Sequence, residues 1–248
     1  MKQIPRIQLQ ISLFLLAVIS TSLACSLTGQ SLPKIINHPQ PELSIDHQIF
    51  ESAGCPLVSG FQRCSPESPL ADLGCKMIRP TGNLLGGLQP AFPIHFCLTE
   101  ALSSDQKPLE SEYIYAEGCL LKHYIKYVIW QDGKFQLVKS QQDFQEVYAP
   151  IESEIEALSY AIGITGLGAQ YGQEPNRTFR YFVNEIEDSH VNRTQDGFMV
   201  HLFDYRLCGC GPHPTYSVQI LVKPTGDWEE VNRTKLYEDP EQDDLCVD

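Results

Sequence analysis

The stretch CGCGPH, residues 208 to 213, holds the densest group of side chains able to do chemistry in this sequence. Two thiols one residue apart project from the same side of an extended chain, and the Gly-Pro turn after them can swing His213 back to join them. Three chemistries fit. In the structural reading, Cys208 and Cys210 bridge to separate partners, one of them Cys246, and so pin the acidic tail YEDPEQDDLCVD onto the fold. In the metal reading, Cys208, Cys210 and His213 hold a soft ion such as Cu(I) or Zn(II), although the local sequence offers no fourth ligand for a closed tetrahedron. In the redox reading, a Cys-Gly-Cys disulfide closes a strained, reducible ring, but the strand–CxxC–helix context of thiol oxidoreductases is missing. The structural reading is preferred, with metal or thiol handling as the alternative.

Other constellations carry less. The chain has no G-x-S-x-G, no H-E-x-x-H, no P-loop and no G-x-G-x-x-G. The glycine-rich GITGLGAQYG follows a predicted helix, which is the wrong order for cradling phosphate. Glu185 and Glu187 share one face of a strand, with nothing to mark them as buried. The tail acids Glu238, Asp239, Glu241, Asp243 and Asp244 lack the ordered spacing of a calcium loop. His38 and His47 read as solvated. No catalytic residue and no cofactor are implied, so the expectation is a protein without enzymatic activity.

These residues must be positioned by a chain that leaves the cytosol. Lys2 and Arg6 precede the apolar run ISLFLLAVIS, and small residues lead to Ala24-Cys25. That order is a secretory signal peptide, with an apolar run about half the length of a membrane-spanning helix. The segment SLAC, residues 22 to 25, resembles the lipobox of bacterial exported lipoproteins, with Ser22 and Leu23 in reversed order relative to the usual pattern. The resemblance covers residues 1 to 25 alone. It implies diacylation of Cys25, a membrane anchor through acyl chains and a place in the cell envelope; ordinary cleavage after Ala24, giving a soluble secreted protein, is the alternative. Nine cysteines are present, so lipid on Cys25 leaves Cys55, Cys64, Cys75, Cys97, Cys119, Cys208, Cys210 and Cys246 to form four disulfides with no stray thiol. Local bridging among the first three, and a Cys97–Cys119 bridge, are expected.

The formal charge of −13 becomes −15 once Lys2 and Arg6 depart, because no acidic residue leaves with them. Such a surface repels phosphate backbones, which argues against a nucleic-acid partner. An unknown protein or ligand is the expected partner instead. The sequon Asn-Arg-Thr, at Asn176, Asn192 and Asn232, matters only on a eukaryotic secretory route.

The mature chain divides into a proline-bearing tether over 25–48, a Cys/Pro/Gly-rich loop region stapled by disulfides over 49–110, and a folded domain over 111–248. In that domain, Asp132-Gly133 signals a type I′ hairpin whose first strand is apolar on both faces. SQQDFQEVYA begins at the cap Ser140 and stops at Pro150. SEIEALSYAIGITG carries the capping box Ser153…Glu156, an apolar stripe of Ile155, Leu158 and Ile162 widened by Ala157, Ala161 and Ile164, and Gly166 at its end. Alternating runs from Thr178 onward, broken at Asp196-Gly197 and Thr225-Gly226, read as an antiparallel meander. The expected fold is α+β: a helix packed on a curved antiparallel β-meander, a roll, preceded by the stapled loop region. The preferred function is an exported, envelope-surface binding or scaffolding module.

Overall fold

In the computed structural model, the described residues are 31–58, 61–99, 102–103 and 107–247. The chain divides into Met1–Leu32 and Pro33–Asp248, and all that follows concerns the second unit. The signal segment and Cys25 lie outside the described residues.

The elements follow the chain in two large sheets and two two-stranded ones. Strand β1 (Lys34–Ile36) leads to a helical turn, α1 (Gln48–Glu51), then β2 (Leu57–Val58), β3 (Phe61–Arg63), α2 (Pro69–Asp72), β4 (Met77–Pro80), β5 (Ile94–Leu98) and β6 (Leu102–Ser103). Next come β7 (Tyr115–Glu117), the long β8 (Leu121–Gln131), β9 (Lys134–Val138), and the helices α3 (Gln141–Tyr148) and α4 (Glu154–Thr165). The remainder is β10 (Arg180–Tyr181), β11 (Glu185–Glu187), β12 (His190–Arg193), β13 (Phe198–Tyr205), β14 (Gly209–Cys210), β15 (Thr215–Val222), β16 (Trp228–Glu238) and β17 (Cys246–Val247). The first sheet runs β2-β3-β4-β5-β8, with β6, β7 and β9 also on β8. The second is the five-stranded order β10-β16-β15-β13-β12, an antiparallel meander.

Local signals act as their chemistry requires. Asp132 (φ 51°) and Gly133 (φ 75°) both adopt the left-handed region that a two-residue β8–β9 turn needs. Ser140 and Ser153 accept the backbone N–H groups of Asp143 and Glu156 at the starts of α3 and α4, and Gly166 ends α4 at φ 73°. The Glu156 carboxylate accepts from Glu152 N–H rather than from the cap itself, one residue earlier than a standard capping box.

Helix α4 lies between the two sheets and is buried nearly all round. Leu158, Ala157, Ala161 and Ile164 of the expected stripe are buried, but the stripe is not the whole of it: Ile155 is exposed, while Ser159 and Tyr160, outside the stripe, are buried as well. The reason is the layer on each side. Ile125, Tyr127 and Ile129 of β8 pack in the same core as Val200, Leu202, Val218 and Ile220 of the meander, with α3 and α4 between them. Tyr160 Oη donates to the Gly226 carbonyl at 2.8 Å, tying the β15–β16 turn to the helix.

The segment 49–110 is stapled by two disulfides, as expected, and among its loops it carries short strands that belong to the first sheet. Its strands β4 and β5 pair antiparallel and β5 joins β8 directly, with Ile94 opposite Ile129 and Cys97 opposite Lys126. It also covers the back of that sheet with a small core of its own, in which Phe50, Leu70 and Ile78 surround Val128. This explains why β8 is apolar on both faces. The tether also ends earlier than expected: β1 pairs in parallel with β11, so residues from Pro33 onward belong to the folded unit. The run FRYFVNEIE, residues 179 to 187, is split into β10 and β11, which serve different partners.

The eight described cysteines form four disulfides: Cys55–Cys64, Cys75–Cys97, Cys119–Cys208 and Cys210–Cys246. The first is local and the last pins the tail, as expected. Cys97–Cys119 does not form, because Cys97 faces the small core, where Cys75 meets it, and Cys119 sits at the β7–β8 turn beside Cys208.

Candidate functional site

The Cys208, Cys210 and His213 group is not brought together. Both sulfurs are exposed and bonded elsewhere, so neither is a thiolate, while His213 turns into the interior and is 3% exposed. There it lines a cavity of about 310 Å³ with Phe179, Tyr237 and Asp239, far from metal-ligand geometry with its former neighbours. Two of the tail acids have cationic partners: Arg180 pairs with Glu238 and Asp243, and Lys235 with Glu238. Asn176, Asn192 and Asn232 are all exposed; Asn176 sits in a turn that it caps by accepting from Thr178, and the other two lie within strands.

Chemistry collects instead around the extended strap that follows β1, residues 37–46. It is proline-bearing and makes no sheet pairing, so its side chains are held by packing and by polar contacts at either end. On one side it walls a cleft of about 920 Å³. Gln40–Ser44 form one lip, Gly82–Leu85 another, and Phe96, Tyr115, Tyr127 and Glu117 the sheet side. Gly86 is required here, since a Cβ would collide with the Ser44 backbone. The Tyr127 hydroxyl donates to the Gly163 carbonyl at 3.0 Å, and burial pushes both it and the Tyr115 phenol well above the usual tyrosine range. Both are therefore neutral hydrogen-bonding groups at ordinary pH. Glu42 and Glu117 are the charged side chains of the lining among the described residues, and Glu117 faces Arg79 at 3.6 Å across a half-exposed contact. Arg79 itself stacks over Phe96, 4.5 Å from the ring centre.

No protein family, curated protein or solved structure matches this chain.

On its other side the strap bounds a second cavity, of about 350 Å³, lined by His38, Pro41, Glu154, Tyr171 and His190 among others. His38 Nε2 lies 2.8 Å from Glu187 Oε1, and His190 Nε2 lies 3.6 Å from the same oxygen. Burial opposes the charge on Glu187, but the bond from His38 and the nearby imidazoles outweigh it and hold the carboxyl below its usual range. The His38 and His190 rings stack at 4.2 Å, and His201, directly opposite His190 across β12–β13, lies 5.1 Å beyond it. Burial lowers the His201 pKa, so it favours the neutral ring. His38 is thus not a solvated tether residue, and Glu187 is not a plain surface acid. Nothing in local spacing announces this, because His38 and Glu187 are 149 residues apart.

Four disulfides fit an exported protein in an oxidising compartment, and among the described residues no helix is long and apolar enough to cross a membrane.

Proposed function

We propose that this chain is an exported, non-enzymatic binding module, held at the cell envelope by acyl chains on Cys25, that takes its ligand in the cleft beneath the strap. The observation that carries this reading is the cleft lining: three aromatic rings, Phe96, Tyr115 and Tyr127, with the carboxylates of Glu42 and Glu117 at its rim. A concave, partly apolar cavity with a few convergent polar groups is the usual form of a small-ligand site. The charge of the lining selects for a ligand that is partly apolar and carries an amine or guanidinium group, which aromatic faces and carboxylates both attract.

The test has two parts. Titration of the oxidised protein with short aromatic peptides bearing basic or acidic ends should show binding of the basic set, weakened about tenfold or more by E42Q with E117Q. Preference for acidic peptides, or no binding of either set by a folded protein, ends the ligand reading. Intact mass of the membrane fraction from the native host should show cleavage before Cys25 with added diacylglycerol; an unmodified Cys25 in a soluble fraction ends the anchor reading.

A further inference from the structure

We propose that His38, Glu187 and His190 form a three-ligand site for a divalent transition-metal ion of the zinc class, with its fourth position open towards the cavity of about 350 Å³ that both histidines line. This goes beyond the ligand cleft and does not depend on it.

The donor set fits. Imidazole nitrogen and carboxylate oxygen are the ligands of zinc sites that keep one position for water or an exogenous ligand. The three donor atoms lie within 4.8 Å of one another. Tetrahedral bonds of about 2.0–2.1 Å place neighbouring ligand atoms roughly 3.3–3.4 Å apart. The observed separations of 2.8 Å and 3.6 Å from Glu187 Oε1 straddle that value; since a bound ion lies in the plane of each ligating ring, the stacked imidazoles must turn out of their stack to converge on it.

The surroundings orient the donors. His190 Nδ1 lies 2.8 Å from the Asp188 carbonyl, which can only accept, so the proton of the neutral ring sits on Nδ1 and the lone pair on Nε2, facing Glu187. Asp188 is fully buried; its carboxylate accepts from the backbone N–H of Gly172 at 2.8 Å and of His38 at 3.4 Å. Its own N–H donates to Ile36 at 2.9 Å, next to the β1–β11 pairing that sets Ile36 opposite Glu187. One buried residue therefore fixes the backbone that bears all three ligands.

An ion pair alone accounts for less. A single carboxylate faces two imidazoles stacked at 4.2 Å and 18°, and two protonated rings at that distance repel. One bound cation satisfies both neutral nitrogens and the carboxylate together.

The experiment uses the oxidised full-length mature protein, shown by thiol titration to have no free cysteine from position 55 onward, so that no sulfur contributes. Zinc(II) is titrated against a chromophoric chelator, and cobalt(II) is used for its visible spectrum. The expected result is one ion per chain, a cobalt spectrum with the intensity of four-coordination, and at least about tenfold weaker binding in H38A, E187Q and H190A. Variants H47A and H213A, at histidines elsewhere in the fold, should bind as the parent does. H38A guards against misfolding, since its side chain is partly exposed and ends on the strap. Absence of stoichiometric binding by the folded parent overturns the proposal. So does binding that H38A and E187Q leave unchanged while their circular dichroism stays native.

Discussion

The two largest cores among the described residues solve the same problem differently. The central core, between the sheets, is built from large side chains of α3, α4 and both sheets, and buried tyrosine hydroxyls tie it to the backbone: Tyr127 to Gly163, and Tyr160 to Gly226. The small core on the back of β8 has Phe50, Ala53, Leu70, Ile78 and Val128, and the other three of its eight buried residues are Cys55, Cys75 and Cys97. Its elements are short, with four-residue helices and strands of two to five residues. So little buried area cannot offset the entropy of ordering that segment, and cross-links take up the difference. The comparison teaches that in this chain disulfides stand where side-chain volume runs out.

The strongest way to break that contrast is to damage the central core. Phe144 is fully buried against Tyr127, Tyr148 and Tyr160, and F144A should cost about 4 kcal/mol in denaturant unfolding, with every region losing hydrogen-exchange protection together. Next comes the double variant C75A/C97A, which removes a 22-residue cross-link and leaves space at two buried sulfurs. It should cost about 3–4 kcal/mol, with protection lost first in residues 48–98. Uniform loss across both cores would show that they are one cooperative unit and would dissolve the distinction.

Acid should also find the small core first. His95 stacks on Phe50 at 3.8 Å, and burial, with His47 nearby, lowers its pKa to about 4. Its folded value lies below the unfolded value of about 6.5, so the unfolded chain binds more protons between those limits. Stability is therefore full above pH about 6.5 and falls as pH drops towards about 4, by about 2–3 kcal/mol from this group. H95L should flatten that limb of the stability profile; an unchanged limb assigns acid sensitivity elsewhere. The smallest effect is expected from C210A/C246A. The paired segments Gly209–Cys210 and Cys246–Val247 are largely exposed, so the tail can fray without disturbing either core, at a cost of about 1 kcal/mol.

Much of the second half of the fold was legible in short signals. Asp132-Gly133, Ser153 with Gly166, and Thr225-Gly226 each specify a backbone conformation by themselves, and the alternation of β13 and β15 reports a sheet whichever partner it finds. The first half was not. Strands β2 to β6 are too short to show a period, Pro80 closes β4, and their stability comes from pairing with β8 and from cross-links that sequence cannot assign. Cysteine parity gave the number of bridges, while the partner of Cys97 depended on which face of β5 it occupies. The His38, Glu187 and His190 group is the extreme case: β1 must first dock in parallel beside β11, a long-range pairing with no local signature. Conversely the adjacent residues of CGCGPH do not act together: as the preferred structural reading has it, Cys208 and Cys210 bridge to separate partners, Cys119 and Cys246, while His213 turns inward.

Gln40 and Pro41 line both the large cleft and the smaller cavity. A single thin partition is thus common property of two compartments. If occupancy of either side stiffens that partition, the other side inherits a pre-ordered wall, and thermodynamic reciprocity then requires equal factors in both directions. Two chemically unlike guests would sense each other through a dipeptide without ever touching.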